Sequence, residues 1–228
     1  MSRETPILDL SDPDDVDLSL QDSYPPIPVT HLPGEYWEIR ETGEALEPVA
    51  VSTIPWYSSH DWPHSSERLS VRAGVNTRLL AARQALPAGY ALVVLDAWRD
   101  SRLQRALFEY YDTEGTAAGY VADPGSALYE PPHTTGGAVD VTLSWRGVPL
   151  ALGTAFDTFN EAAWARALEE RPDNEPARSL RRMLTAALVS EDFCPHPMEW
   201  WHFSFGDQIW AANSGQDHAL FGPIVQPS

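Results

Sequence analysis

Residues 90–98 read YALVVLDAW, and every one of them except Asp96 is apolar. A run this short, rich in Val and Leu and without polar alternation, is the pattern of a strand covered on both faces. The flanking sequence supplies helices to cover it. Upstream, Val75, Leu79, Ala82 and Leu86 recur at helical spacing from Val71, and Pro87 with Gly89 ends the run. Downstream, Ser101 offers an N-cap, and Leu103, Ala106, Leu107 and Tyr110 line one face of a second helix.

Further out, a Gly- and Ala-rich loop spans about residues 115–132. Val139, Val141 and Leu143 then alternate with Asp140 and Thr142, which predicts a half-buried strand with Asp140 on its polar face. Helices are expected over residues 160–170 and 179–189. Residues 199–205 and 208–211 read as two strands joined through Gly206 and Asp207, a hairpin signal. This order lacks regular βαβ alternation. It predicts a single α+β domain, a small and mainly antiparallel sheet flanked by helices.

The chain has 228 residues, one domain's worth with room for an appendage. A chain of this length buries roughly 70% of its unfolded surface, so it needs no disulfide scaffold, and the single Cys194 excludes an internal one. The formal net charge is -18, and every basic side chain is Arg. Such a surface repels polyanions, which excludes nucleic acid and anionic membranes as natural partners. Without Lys there is no Schiff-base or P-loop lysine, and no glycine-rich nucleotide motif occurs. The first twenty residues have neither a basic nor an apolar signal-peptide region, and no later run is long enough to span a bilayer. The expectation is a soluble, cytoplasmic protein.

Much of the acidity falls in residues 1–50, where Pro25, Pro26, Pro28 and Pro33 exclude a long helix. Residues 51–66 suit a loop pinned by Trp56, Tyr57 and Trp62. We therefore expect residues 1–65 to form an acidic arm and aromatic loop packed on a catalytic domain of residues 66–228. A solvated leader is the plainer reading of the arm and a lid over a site the sharper one.

Two clusters carry chemistry. In Pro131–Asp140, PPHTTGGAVD, His133 and Asp140 would point to opposite faces of a continuous strand, but Gly136 and Gly137 let the chain bend and bring them together. In residues 199–202, EWWH, His202 lies within an aromatic strand with Glu199 at its mouth. Two imidazoles and one carboxylate leave a metal position open, and a further acid is then free for proton transfer. Arg99, where the run of residues 90–98 emerges, can stabilise an oxyanion or pair with Asp96 or Asp100.

These residues resemble the D-alanyl-D-alanine dipeptidase family, the VanX-like zinc peptidases. The resemblance rests on His133 with Gly136, Ala138 and Asp140, on Glu199-Trp200-Trp201-His202, on Asp96-Ala97-Trp98-Arg99 and on Gly153-Thr154-Ala155-Phe156-Asp157, all in the family's order. It implies a hedgehog/D,D-peptidase-like fold and one Zn²⁺ per chain held by His133, Asp140 and His202. It implies Glu199 as general base, Arg99 at the oxyanion and Asp157 in the substrate site, facing the ammonium of a dipeptide. Asp157 fits a helix N-cap equally well. Two positions depart from the family pattern. Pro131 replaces a Ser two residues before the first metal His, and Asp100 follows Arg99 in place of Pro, where its carboxylate would partly neutralise the guanidinium. The implied activity is hydrolysis of D-alanyl-D-alanine or a related D-amino-acid dipeptide. Alternatives are a D,D- or L,D-carboxypeptidase acting on peptidoglycan peptides, a non-catalytic metal- or ligand-binding homologue, and a non-haem Fe(II) oxygenase, whose triad also uses two His and one carboxylate.

Overall fold

The computed structural model describes residues 23–113, 120–171 and 176–224. The acidic leader of residues 1–22 and part of the Gly- and Ala-rich loop lie outside the described residues. Short strands β1 (Leu46–Pro48) and β2 (Ser52–Thr53) precede helix α1 (Trp56–Ser59), strand β3 (Ser70–Arg72) and helix α2 (Ala73–Gln84). Strand β4 (Tyr90–Asp96), helix α3 (Ser101–Thr113), strands β5 (Ala138–Trp145) and β6 (Val148–Pro149) follow, then helix α4 (Ala177–Val189), strands β7 (Cys194–Pro195) and β8 (His202–Ser204), and helix α5 (Gln208–Ser214). The main sheet runs β2-β4-β5-β8-β7, with β6 on the end of β5; only the β2–β4 pair is parallel. This is the α+β architecture read from the sequence.

Strand β4 is buried on both faces as its composition requires, with Leu92, Val94 and Leu95 fully excluded from solvent. Helix α2 presents Val75, Leu79 and Ala82 to the core, while residues 70–72, ahead of it, pair with β1 as a strand. Helices α2 and α4 pack on each other and on the central strands. The start of α3 is capped by Asp100, whose Oδ1 accepts from the Arg102 amide at 2.8 Å, not by Ser101.

Three further expectations are corrected. Strand β5 is buried on both faces, not one, because its polar face is roofed by the following loop: Thr142 Oγ1 donates to the Leu150 carbonyl at 2.6 Å. Residues 160–170 form a short 3-10 turn (Glu161–Ala163) and further turns, not an α-helix. Their backbone groups are committed elsewhere: the Ala162 and Trp164 carbonyls accept from the Arg181 guanidinium, the Ala163 carbonyl from the Trp200 amide, and the Ala165 amide donates to Pro197. The tail is no hairpin. Asp207 caps α5 by accepting from the Trp210 amide, so the Gly-Asp pair begins a helix, and β8 pairs instead with β7.

Residues 23–55 are tied to the body by polar contacts from both ends of the chain. Ile27 is buried and its amide donates to Glu169, which also pairs with Arg182. Asn213 bonds both the amide and the carbonyl of His31. Buried Arg72 donates to the carbonyls of Glu44, Thr135 and Gly222 and to the Glu41 carboxylate, joining three distant segments. Among the described residues no helix is long and apolar enough to cross a membrane.

Candidate active site

Strand pairing builds the centre of the site. Asp96 on β4 pairs with Asp140 on β5, and Asp140 pairs with His202 on β8, so three polar side chains stand in one row across the sheet. The β4–β5 register shifts between Val94 and Asp96; this irregularity lets Asp96 face Asp140 where regular pairing would have placed Leu95. His133 comes from a 3-10 turn (Pro132–Thr135) that precedes β5. The chain leaves that turn through Gly136 at φ 75°. At Gly137 a Cβ would sit 2.4 Å from the Phe205 carbonyl oxygen, so only glycine lets β5 start this close to β8.

The result is a nearly equilateral triangle of donor atoms. His133 Nε2 lies 3.1 Å from His202 Nδ1 and 3.3 Å from Asp140 Oδ1, and His202 Nδ1 lies 3.2 Å from Asp140 Oδ1. Three ligands at zinc bond lengths in a tetrahedron stand about 3.3 Å apart, so the triangle has the size of a shared coordination site. Among the described residues this is the His/Asp/His group whose ligand atoms come close enough to hold an ion. Among the described residues nothing donates a hydrogen bond to buried Asp140 Oδ1, which leaves it an electron donor at the triangle's corner. His133 Nδ1 lies 2.8 Å from the Ala97 carbonyl, which can only accept; Nδ1 therefore carries a proton, and Nε2 is the nitrogen that faces the triangle. Burial alone would raise the Asp140 carboxyl, but the facing His133 and His202 imidazoles outweigh it and hold it below the carboxylate range.

Glu199 Oε2 stands 3.5 Å from His202 Nδ1. Burial, with the Asp140 and Asp157 charges, pushes its carboxyl well above the usual range, so it is a carboxyl group with strong affinity for a proton. Arg99 lies beside Asp96 and Asp140. Its Nε donates to Asp96 Oδ2 at 2.9 Å and its Nη1 to Gln104 Oε1 at 2.7 Å, while Nη2 lies 2.7 Å from Asp96 and 3.8 Å from Asp140 Oδ2. Asp96 is thus its partner. Asp100, expected to neutralise it, pairs instead with Arg102 through two 2.9 Å contacts.

Asp157 lies half-buried in the same cleft and does not cap a helix; Asn160 caps the 3-10 turn that follows. The Tyr57 hydroxyl donates to Asp157 at 3.0 Å, and Tyr111 approaches at 3.5 Å. Burial and the Asp140 charge push the Asp157 carboxyl up to about 7. Its φ of 57° is a left-handed conformation that a non-glycine residue holds only when its surroundings enforce it. Enforcement comes from Arg181, whose buried guanidinium donates to the carbonyls of Leu152, Ala162 and Trp164 on both sides of this loop.

Tyr57, Arg99, His133, Asp140, Glu199 and His202 line one cleft together with Asp157. Motif spacing does not single out His196 or Gln104, yet both line it. His196 lies between Pro195 and Pro197, 3.8 Å from Glu199, with its ring 5.0 Å from that of His202. A polar residue held between two prolines just ahead of Glu199 was the available signal. Burial and the neighbouring His202 hold its ring well below the ordinary imidazole range, so it is neutral.

Sequence comparison places this geometry. The profile of a family described as D-Ala-D-Ala dipeptidase matches residues 64–220, more than half of the chain. The protein belongs to the D-alanyl-D-alanine dipeptidase family. The matched segment contains the donor triangle, Glu199, Arg99 and Asp157; of the residues that brace them, Tyr57 lies ahead of it. The chain is also similar to a D-alanyl-D-alanine dipeptidase from Synechocystis sp., with 27% identity over 220 residues that cover 79% of this chain and 89% of the relative. Membership in this dipeptidase family makes the protein a peptidase.

Proposed function

We propose that the protein is a zinc-dependent dipeptidase acting on D-alanyl-D-alanine or a closely related D-amino-acid dipeptide, with residues 66–228 as its catalytic unit. The observation that carries this reading is the donor triangle with a proton-binding carboxyl, Glu199, 3.5 Å from one of its corners. His133, Asp140 and His202 would hold one Zn²⁺, which when bound polarises a scissile carbonyl and makes a water acidic near neutral pH.

The chain's own residues do the rest. Glu199 takes the proton of the attacking water and passes it to the leaving nitrogen; its raised proton affinity suits it to hold that proton between the two steps. Arg99, locked by Asp96 and Gln104, has N–H groups left for the carbonyl oxygen as charge develops there. Asp157, braced by Tyr57, takes the free ammonium and fixes the peptide's direction. The dipeptide and D-alanyl choices are supported by the family match and by the named Synechocystis relative.

The test is a panel of D,D-, L,D- and L,L-dipeptides with matched N-acetylated forms on zinc-loaded protein. Hydrolysis of free D,D-dipeptides, its loss on acetylation, and its loss in Glu199→Gln with zinc content unchanged are the expected results. Activity that survives Glu199→Gln would refute the assignment.

A further inference from the structure

We infer that His196 and Tyr129, which line the same cleft, hold the substrate's C-terminal carboxylate. The inference rests on the dipeptidase reading above and adds to it the residues that select for a free C-terminus.

His196 is 5% exposed. Its Nδ1 accepts from the Met198 amide at 3.3 Å, so the proton of the neutral ring is on Nε2. That N–H has no partner among the described residues, and the ring lines the cleft. A donor that lines a binding cleft without a protein acceptor is free for an acceptor carried by the ligand. Tyr129 repeats the pattern. It lines the same cleft, it lies close enough to Glu199 for that charge to act on its hydroxyl, and the hydroxyl has no partner among the described residues.

The reaction itself says what these donors meet. Glu199 must reach the leaving nitrogen to deliver its proton, and the carboxylate carbon of a dipeptide lies only two bonds beyond that nitrogen. His196 is 3.8 Å from Glu199, on the His202 side of the triangle, whereas Arg99 approaches from the Asp140 side. Asp157 and Tyr57, whose ring lies under the Arg99 guanidinium, belong to that other end. An ammonium held by Asp157 therefore directs the carboxylate towards His196. No lysine exists to receive it, and the charge of Arg99 is already shared with Asp96. Two neutral donors read the carboxylate by hydrogen-bond geometry, so the site should reject a C-terminal amide, which puts a donor where an acceptor is needed.

The experiment measures binding without turnover. Zinc-loaded Glu199→Gln protein is titrated by calorimetry with D-alanyl-D-alanine and with D-alanyl-D-alaninamide, with His196 intact, as His196→Leu and as His196→Gln. With His196 intact the free acid should bind at least about tenfold more tightly than the amide, the size expected for a hydrogen bond to a charged group. His196→Leu should bring the free acid down to the level of the amide and leave the amide unchanged, and His196→Gln, which keeps an N–H near the same place, should restore most of the difference. Tyr129→Phe should weaken the free acid alone, and it serves if the Leu variant does not fold. A free-acid preference that survives both His196→Leu and Tyr129→Phe, or equal weakening of both ligands, overturns the assignment. Turnover by wild type is assayed in parallel: its absence would sink the dipeptidase reading, while the binding comparison would still decide the pocket.

Discussion

Asp140 and His202 are direct partners across the β5–β8 ladder, and their Oδ1 and Nδ1 atoms stand 3.2 Å apart on one face of the sheet. Backbone pairing, more than side-chain reach, sets that distance. Among the described residues nothing donates a hydrogen bond to Asp140 Oδ1, a cost that a bound cation would relieve. Metal binding at this pair would therefore be coupled to stability.

Zinc should raise the thermal midpoint of the chelated protein. At a thousandfold excess over Kd the linkage is about 4 kcal/mol, on the order of 10 °C for a chain of this length. Asp140→Asn and His202→Ala should abolish the shift. Differential scanning calorimetry with and without chelator checks this, and an equal shift in Asp140→Asn would show that zinc binds elsewhere.

Arg99 is bonded to Asp96 beside His133, so its two substitutions should separate. Arg99→Lys keeps a charge but not the fork, and should lower kcat by about 10²–10³ with zinc content retained. Arg99→Ala strands Asp96 as a buried charge and should also cost about 3 kcal/mol or more in stability. Steady-state kinetics and denaturant melts read the two effects. A rise in KM alone would remove the oxyanion role.

Asp157 yields a pH signature. Its folded carboxyl titrates at about 7 against an ordinary 3.8, so the folded state binds the extra proton and this group's contribution to stability is lost as pH rises from about 4 through 7. Asp157→Asn tolerates the left-handed backbone, removes the buried charge, and should stabilise by a few kcal/mol at pH 8 but hardly at all near pH 4. Melting curves at the two pH values decide it; a gain independent of pH would contradict the assigned cause.

Asp100 is a helix cap and the partner of Arg102, so Asp100→Ala should cost about 1 kcal/mol while kcat stays as in wild type. A change in kcat would mean that its charge reaches Arg99 after all.

Among the described residues three carbonyls, and no carboxylate, share the Arg181 guanidinium, and burial lowers it to about 9. Arg181→Met should fill the volume yet leave those carbonyls unpaired, for a loss of about 3 kcal/mol or more. Because the same carbonyls hold the Asp157 loop, KM for free dipeptides should rise in the folded fraction. A variant of unchanged stability and KM would refute the role.

How far the sequence reaches depends on where each interaction closes. The two-sided burial of β4 and the apolar face of α2 follow from composition and period, which are local, and both appear in the structure. The helix expected over residues 160–170 fails because its carbonyls find stronger partners in Arg181 and Trp200, which periodicity within the segment does not reveal. The expected terminal hairpin fails for a related reason. A Gly-Asp pair begins a turn or a helix equally well, and the Trp210 amide chose the cap. At the site, motif spacing names the proposed metal ligands, Glu199 and Arg99 but passes over His196 and Gln104, which only the fold places in the cleft.

By itself the sequence determined the α+β class, the residue types able to bind a cation and move a proton, and the absence of lysine from any chemistry, because these depend on composition and near-neighbour spacing. Only the tertiary structure decided that Asp96, Asp140 and His202 share a row, that Arg99 answers to Asp96 and not to Asp100, and that Asp157 faces a cleft instead of capping a helix. Those outcomes depend on strand register and on an irregularity between Val94 and Asp96, which are settled by hydrogen bonding between segments far apart in the chain.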